Sequence, residues 1–324
     1  MHSITELQQI FIKKLEQEKF NGNPSELYRP ISYILDLGGK RMRPVLLLMG
    51  CELFGGKAGD ALDASMGIEI FHNFTLVHDD IMDRAPIRRG APTIHQKWNN
   101  NIAILSGDTM FALAYKCLQS LKPEHLKPAL EVFTQTAIEV CEGQQFDMNF
   151  EKRQDVGIDQ YLEMIRLKTA VLLGASLKIG AIIGNAKQED IEKLYQFGVN
   201  LGLAFQLRDD LLDLYSDEKE FGKQTGGDVM AGKKTYLFLK AVEVAGSQTG
   251  KDLRKIYLES DPDPKHKVVR VKEIFDSLKV RSLTEEKIMA FSSEAIRQLD
   301  NIEVEDSKKS ELKKFAEELR NRTF

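Results

Sequence analysis

Apolar and polar residues alternate with a helical period along most of the chain. In residues 4–19, Leu7, Ile10, Phe11 and Leu15 recur at i, i+3, i+4 and i+8 with Gln, Lys and Glu between them. The same pattern predicts further amphipathic helices over 44–54, 102–121, 128–142, 158–173, 188–215, 235–244, 268–278, 282–299 and 311–320. There is no convincing series of alternating strands. The predicted fold class is therefore all-α, a bundle of long helices with residues 1–324 as a single domain.

Glycine and proline mark the predicted ends of these helices. Breaks are expected at 38–39, at 55–56, before Pro123 and Pro128, and within 222–232 and 260–267. The most apolar stretch, residues 169–186, is interrupted by Lys178 and rich in Gly and Ala. It falls short of the roughly 20 apolar residues of a membrane span, so it indicates a tightly packed core helix.

Composition narrows the class of protein further. The 324 residues include 45 Lys and Arg against 49 Asp and Glu, a net charge of 45 − 49 = −4, and 42% are hydrophobic. This balance argues against a nucleic-acid binder and against disorder. The three cysteines, Cys51, Cys117 and Cys141, form no CxxC pair that would indicate a disulfide framework or a zinc site. The first residues contain no apolar signal segment, so a cytoplasmic protein is expected.

Two acidic clusters carry the first candidate chemistry: DDIMD at residues 79–83 and DDLLD at residues 209–213. Residues i and i+4 share a helix face, so the first and last Asp of each cluster project together. Carboxylates this close repel one another unless a cation neutralises them. The spacing suits Mg²⁺, which proteins commonly hold through one or two carboxylates together with substrate phosphates and water. A solvated acidic face is the alternative for one cluster, but two clusters favour a metal site.

Basic residues accompany both clusters. The segment GGKRMRP at 38–44 places cations at a glycine-containing helix start, where backbone N–H groups also attract anions. Further basic residues are Arg88, Arg89, Lys168, Lys223, Lys233 and Lys234. Arg binds phosphate through a planar fork and Lys as a mobile point charge. A metal site beside such residues predicts a polyanionic ligand, most simply a diphosphate.

Two polar side chains share the helix faces of the aspartates. His72 lies seven residues before Asp79, and Gln206 lies three residues before Asp209. Both are candidate polar ligands, although a lone histidine on a helix is more often a packing residue.

Together these motifs resemble the trans-isoprenyl diphosphate synthases, the family of farnesyl and geranylgeranyl diphosphate synthases. The matching segments, in the family's order, are GGKRMRP (38–44), FHNFTLVHDDIMDRAPIRRG (71–90), SGD (106–108), GQQFD (143–147), KT (168–169), FQLRDDLLD (205–213) and GKQTGGDVMAGKKT (222–235). The resemblance implies a bundle of long helices around a deep central cavity, usually a homodimer, with the two Asp clusters facing each other across its mouth.

The resemblance also implies a reaction and residue roles. Isopentenyl diphosphate would be joined head-to-tail to an allylic diphosphate (dimethylallyl, geranyl or farnesyl), with release of diphosphate. The implied Mg²⁺ ligands on the allylic diphosphate are Asp79, Asp80, Asp83, Asp209 and Asp210, with Asp213 as an outer member. The same diphosphate would contact Arg88, Lys168, Lys223 and Lys233, and isopentenyl diphosphate would contact Lys40, Arg43, His72 and Arg89. Thr169 and Gln206 would line the reacting centre, supported by Gln144 and Asp147.

Elementary chemistry agrees with those roles. Diphosphate is a poor leaving group until metal ions and basic residues neutralise its charge in a site shielded from water. The alkene of isopentenyl diphosphate would then attack the allylic cation. No side chain in the motifs is an obvious general base, so the departing diphosphate is the expected proton acceptor. A dry apolar cavity would keep water from the cation.

Product length is also implied by the resemblance, which makes the fifth residue before the first Asp a gate. That residue is Phe74, followed by Thr75, and an aromatic side chain there fits products of C15 to C20. The first cluster lacks the two-residue insertion of some bacterial farnesyl synthases, and the second aromatic of animal-type farnesyl synthases is absent. Geranylgeranyl diphosphate is therefore favoured. Because Thr75 rather than Phe74 lies in line with Asp79, an ordinary core aromatic is the alternative for Phe74.

Other classes of protein stay open at this point. His78-Asp79 is an HD dipeptide, as in HD-type metal phosphohydrolases, and Glu69 with His72 fits the E-x-x-H of di-iron bundles, although that motif has no second copy. Terpene cyclases share the implied fold but usually replace the second Asp cluster. A non-catalytic regulatory subunit is expected to have lost one cluster or its basic partners, whereas both are intact here.

Overall fold

The computed structural model describes residues 1–216, 225–258 and 264–320, and these are mostly helical. The first helices are α1 (Ile4–Gln17), α2 (Ser25–Asp36), α3 (Met42–Leu53), α4 (Ala58–Met82), α5 (Ile94–Lys97), α6 (Asn100–Leu118) and α7 (Pro123–Lys152). Then come α8 (Ile158–Ile165), a π-helical turn (Arg166–Ala170), α9 (Val171–Ile183), α10 (Gln188–Tyr215), α11 (Gly227–Met230), α12 (Tyr236–Val244), α13 (Ser247–Leu258), α14 (Pro264–Ser277), α15 (Val280–Asp300) and α16 (Asp306–Arg320). Two short strands, β1 (Ile87–Arg88) and β2 (Ala91–Pro92), pair antiparallel. The predicted all-α class is confirmed.

The helical period of the apolar residues in the sequence correctly predicted most of these helices. Helix α10 begins and ends at the predicted residues, whereas α2, α4 and α13 were not among the predicted segments. In α4 the whole run from Ala64 to Phe71 is buried, so it lacks the one-sided apolar stripe that marks a surface helix.

One predicted break is wrong, and another extends too far along the chain. Helix α7 continues through Pro128, which lies in its second turn. The one carbonyl that loses an intrahelical partner there belongs to the exposed Glu124, where water can satisfy it. Helix α14 begins at Pro264, inside the predicted loop, because proline is well tolerated at the first helical position.

The chain divides into two compact units. The first unit consists of Met1–Thr134, Ala175–Leu194 and Glu303–Glu311. In it, a Cβ on Gly50 would lie 2.6 Å from the carbonyl oxygen of Leu177, and one on Gly180 would lie 2.1 Å from that of Leu47. Backbone therefore packs on backbone between α3 and the end of α9, as expected for the Gly- and Ala-rich core helix. Among the described residues, no helix is long and apolar enough to cross a membrane.

The second unit lies within Gln135–Gly174, Tyr195–Ile302 and Leu312–Phe324. Its core includes Leu207, Leu211 and Leu214 of α10, which share one helix face and pack in a cluster with residues of α8, α12, α14 and α15. This buried stripe fixes the rotation of α10 about its axis. It thereby sets the directions of the polar residues between its members, from Gln206 to Asp213.

Candidate active site

In the first unit, α4 ends within the first Asp cluster. Asp83 is the C-cap residue, and its N–H donates to the carbonyl of Asp79 at 2.8 Å. Asp79 is half-buried and Asp80 is 1% exposed. Arg88 of β1 contacts Asp80 with a fork, from Nε to Oδ1 at 2.8 Å and from Nη2 to Oδ1 at 2.7 Å. Burial raises the pKa of Asp80, and the hydrogen bond and charge of Arg88 oppose that rise.

A tight hairpin places the next arginine. Its two-residue turn, Arg89-Gly90, has positive φ at both positions (52° and 77°), as the favoured hairpin turns require. The guanidinium of Arg89 donates to the carbonyl of Gly38, which connects the hairpin with the loop before α3. A Cβ on Gly39 would lie 3.0 Å from Cζ of Arg89, so this glycine permits the close approach.

Four arginines surround His72, and we call this group the arginine cluster (Arg41, Arg43, Arg88 and Arg89 around His72). Nη1 of Arg43 lies 3.1 Å from Nε2 of His72. Burial, followed by the positive charges of the arginines, lowers the pKa of His72 well below its usual value. His72 is thus neutral at physiological pH, with Nε2 accepting from Arg43. Of the residues expected to bind isopentenyl diphosphate, the structure brings together Arg43, His72 and Arg89, while the Lys40 side chain is exposed.

The His72 environment predicts a pH dependence of stability. Below pH 6.5 the unfolded chain protonates this residue and the folded chain does not, so stability is lost as pH falls. In the wild type, the contribution of His72 to the unfolding free energy should fall by up to about 1.4 kcal/mol for each pH unit below 6.5. We expect His72→Gln to remove this pH dependence. Urea unfolding of both proteins at about pH 7.5 and about pH 5.5 measures it. A difference in unfolding free energy that stays constant across this range would contradict the neutral assignment.

Phe74 lies in an aromatic cluster of the first unit. Its ring centroid is 5.2 Å from that of Phe111 on α6, 5.5 Å from that of Phe71 and 4.8 Å from that of His78. Phe71 is fully buried, whereas Phe74 and Phe111 are half-buried. The hydroxyl of Thr75 donates to the carbonyl of His72 at 2.8 Å. Of the two residues predicted to limit product length, Phe74 is the one whose side chain makes these aromatic contacts with α6.

In the second unit, the π-helical turn presents Lys168 and Thr169. A Cβ on Gly143 of α7 would lie 2.3 Å from the backbone nitrogen of Lys168, and one on Gly202 of α10 would lie 2.6 Å from Cα of Ala170. Only glycine at these positions lets both helices approach the turn so closely. The extra residue of a π-turn changes side-chain directions locally, and such turns often occur at functional sites.

Hydrogen bonds connect the predicted residues of this unit. Nζ of Lys168 donates to Oδ2 of Asp147 at 2.5 Å. The hydroxyl of Thr169 donates to Oε1 of Gln206 at 3.2 Å, and Nε2 of Gln206 donates to Oδ1 of Asp210 at 3.1 Å. The hydroxyl of Tyr161 donates to the other carboxylate oxygen, Oδ2 of Asp210. Thr169, Gln206, Asp210 and Tyr161 therefore form one continuous polar chain.

These groups line a single open pocket in the second unit. It is lined by Asp147, Lys168, Thr169, Gln206, Asp210, Asp228 and Lys233, with apolar walls from Phe150, Met164 and Ile165. Asp210 is 6% exposed, and burial and then the charge of Asp228 raise its pKa to about 8. The pocket thus combines the buried Asp210 and two half-buried aspartates with lysines beside an apolar wall, which suits a ligand with an anionic end and an apolar chain.

The remaining predicted residues lie at the edge of this arrangement or beyond it. Asp213 accepts the backbone N–H of Asp228 through Oδ2 at 3.0 Å, which caps the start of α11. Gln144 is buried on α7, and Asp209 is half-buried on α10. Lys223 lies outside the described residues.

Comparison with known proteins shows to which family this chain belongs. A family model described as polyprenyl synthetase matches residues 24–277, most of the chain and parts of both units. The chain belongs to the polyprenyl synthetase family. This confirms the resemblance found in the motifs, and because the members are prenyltransferases, the predicted enzyme class is confirmed as well.

Several relatives of this polyprenyl synthetase have named products. The geranylgeranyl diphosphate synthase of Methanosarcina mazei is 44% identical over 68% of either chain. That of Sulfolobus acidocaldarius is 43% identical over 74% of this chain and 73% of its own. A solved geranylgeranyl pyrophosphate synthase superposes with a TM-score of 0.95 and 40% identity, over 100% of both chains.

The donor set of this synthetase fits a divalent cation that is shared with substrate phosphates. Within residues 1–216, 225–258 and 264–320, no three His, Cys, Asp or Glu side chains converge into a complete metal cage. Asp210, however, has its pKa raised by burial and by neighbouring carboxylates, and a bound cation would reverse that effect. Mg²⁺ commonly takes only one or two carboxylates together with phosphates and water. The family is generally dependent on divalent metal ions.

The two other metal-site interpretations find no support in the geometry of the polyprenyl synthetase. Glu69 of the E-x-x-H pattern is 2% exposed and forms an ion pair with Arg41. This carboxylate therefore neutralises an arginine instead of facing a metal site. Nε2 of His78, from the HD dipeptide, lies 3.2 Å from the carbonyl oxygen of Ile104.

The sequence motifs did not include Tyr161, and they included Glu69 only as part of an E-x-x-H pattern, not as the partner of Arg41. Tyr161 is an apolar-face residue of α8 by its spacing, and its contact with Asp210 joins residues 49 positions apart. Glu69 lies within the buried run of α4 and contacts Arg41, 28 positions away. The sequence signal for this contact was the charge of Glu69 inside an apolar helical run. A buried charge is usually paired, so a basic partner could have been expected.

Proposed function

We propose that this chain is a geranylgeranyl diphosphate synthase, a short-chain prenyltransferase that condenses isopentenyl diphosphate with dimethylallyl, geranyl or farnesyl diphosphate. The observation that carries the proposal is the pocket of the second unit, where Lys168 and Thr169 on a π-turn meet Gln206 and Asp210. Products of this class match the names of the relatives with 43–44% identity.

The residues of the second unit would bind and activate the allylic substrate. Lys168 and Lys233 would bind its diphosphate, together with Lys223, which lies outside the described residues. Asp147 orients Lys168 through the 2.5 Å contact, and the chain from Tyr161 to Thr169 holds Gln206 in one orientation. Fixed dipoles of this kind stabilise developing charge without reorganising during the reaction. The oxygens of Thr169 and Gln206 are then available to stabilise an allylic cation.

The first unit would bind isopentenyl diphosphate. Arg43, Arg89 and His72 form the proposed site together with Lys40, and Arg88 would contact the allylic diphosphate. Thr169 and Gln206, the described residues that are proposed to line the reacting centre, have a hydroxyl and an amide, and neither group is a base at neutral pH. We therefore propose that the departing diphosphate accepts the proton that is lost when the new double bond forms.

We propose Mg²⁺ as the divalent ion, with Asp79, Asp80, Asp83, Asp209 and Asp210 as its ligands and Asp213 as an outer support. When bound, it would neutralise the charge of the leaving diphosphate. The raised pKa of the buried Asp210 supports this assignment, because that carboxyl is placed where a cation would stabilise its ionised form.

The organisation of the protein is also a proposal. We propose a single-domain, cytoplasmic homodimer. Ile104 and Leu105 on α6 are 42% and 57% exposed, and Ile138 on α7 is 49% exposed. Consecutive exposed apolar residues on one helix, such as Ile104 and Leu105, support an interface with another chain.

The experiment that tests the function is diphosphate release by the purified chain with each allylic primer. We expect release that requires Mg²⁺, the primer and isopentenyl diphosphate together. A cyclase or phosphohydrolase would release diphosphate or phosphate from the allylic substrate alone. Absence of release with every primer would reject the synthase and favour a non-catalytic subunit.

A further inference from the structure

A buried ion pair lies within the arginine cluster. Arg41 is 6% exposed and Glu69 is 2% exposed, and Nη1 of Arg41 donates to Oε1 of Glu69. Nη2 of Arg41 donates to the carbonyl of Leu35, at the end of α2. Asn73, one turn after Glu69, donates to the same Oε1 at 3.1 Å. These contacts connect the end of α2, the start of α3 and the middle of α4.

The backbone of Arg41 is unusual in a way that this ion pair explains. Its φ and ψ are 49° and 36°, the left-handed region, and it is the N-cap residue of α3. For a residue with a Cβ this conformation costs on the order of 1 kcal/mol and persists only where the surroundings hold it. Here both ends of the guanidinium fork are fixed inside the protein, so the side chain holds the backbone in place.

The direction of the following turn depends on that backbone. Arg43 lies two residues after Arg41 in α3, and His72 lies three residues after Glu69 in α4. Two parallel contacts therefore join these helices: Arg41 with Glu69, which is buried, and Arg43 with His72. Since Arg41 is neutralised by Glu69, it adds no net charge to the cluster.

We infer that Arg41, Glu69 and Asn73 are positioning residues for the isopentenyl diphosphate site, which hold the start of α3 so that Arg43 meets His72 and the substrate. The inference rests on the proposed function. It makes the middle basic residue of the KRMR segment a support rather than a ligand, whereas its neighbours Lys40 and Arg43 would contact the substrate.

The test is the dissociation constant of isopentenyl diphosphate, measured by calorimetry without allylic substrate, together with steady-state kinetics. We expect Arg41→Met to weaken binding about 10-fold or more, because a small misplacement of a binding group is costly. The KM for the allylic substrate and kcat at saturation should change less than about 3-fold. Arg41→Lys keeps the charge but lacks the fork, so an intermediate effect is expected.

A double variant separates positioning from stability. Arg41→Met with Glu69→Met removes both charges, and replacing a buried pair by apolar residues is often neutral for stability. We expect this double variant to fold, but its affinity for isopentenyl diphosphate should remain as low as that of Arg41→Met. The control is Asp190→Asn, which breaks another ion pair of the first unit, between the buried Asp190 and the partly exposed Lys193. It should lower Tm without weakening the binding.

Two outcomes would overturn the inference. One is wild-type affinity for isopentenyl diphosphate in folded Arg41→Met or in the double variant. The other is an equal loss of allylic and isopentenyl affinity that Asp190→Asn reproduces, which would show a merely structural role. A wild-type chain that does not bind isopentenyl diphosphate would instead overturn the proposed function, and this inference with it.

Discussion

Asp79→Ala and Asp209→Ala are each expected to lower turnover by on the order of 100-fold or more, the scale for losing a preorganised electrostatic group. Both residues are half-buried, Asp79 in the last turn of α4 and Asp209 in the last two turns of α10. Neither substitution removes buried apolar contacts, so the fold should persist. The measurement is kcat at saturating substrates and Mg²⁺, with circular dichroism and a Tm for each variant.

The matched controls for these substitutions remove a carboxylate of the same unit outside the proposed site. Asp63→Ala serves for the first unit and Asp252→Ala for the second, and both residues are helical and near the surface. We expect kcat within about 2-fold of the wild type for these variants, because surface substitutions usually have small effects. Near-normal turnover in folded Asp79→Ala or Asp209→Ala would contradict the metal assignment.

Phe74→Ala is expected to lengthen the product. The Phe74 ring packs 5.2 Å from that of Phe111 across the α4–α6 contact. Its removal would open space where the end of a growing chain could extend. We expect chains longer than C20 to become the main product, and Phe74→Leu should give a smaller shift. The measurement is the chain length of extracted products under fixed substrate ratios.

The control for this prediction removes a partly buried phenylalanine from another place. Phe291 of α15 packs against the core of the second unit, so Phe291→Ala should cost stability without altering product length. An unchanged product distribution in folded Phe74→Ala would remove this residue from the proposed gate and leave it an ordinary core aromatic.

Features that depend on residues close together in the chain could be predicted from the sequence. The Asp clusters were found because i and i+4 spacing on a helix defines which side chains project together. The helical period of the apolar residues predicted the limits of α10, whereas α4, which is buried at every position between Ala64 and Phe71, was not among the predicted segments. Only the DDIMD motif at residues 79–83 indicated that the segment of α4 carries functional residues.

Features that depend on contacts between distant residues were not predictable. The π-turn at Arg166–Ala170 arises where Gly143 and Gly202 let two other helices approach it, and no local pattern marks it. The contacts of Tyr161 with Asp210 and of Arg41 with Glu69 join different helices. The sequence identified the charged residues, but only the fold shows which of them are neutralised internally.

Identification of the reaction products is the direct test of the proposed geranylgeranyl diphosphate synthase activity. The purified chain is incubated with Mg²⁺, dimethylallyl diphosphate and excess isopentenyl diphosphate, and the extracted products are dephosphorylated and their chain lengths measured. We expect an all-trans C20 alcohol, geranylgeraniol, as the main product, with one diphosphate released for each isopentenyl unit added. A chain that incorporates no isopentenyl units, although it is folded and supplied with Mg²⁺, would contradict the proposed activity.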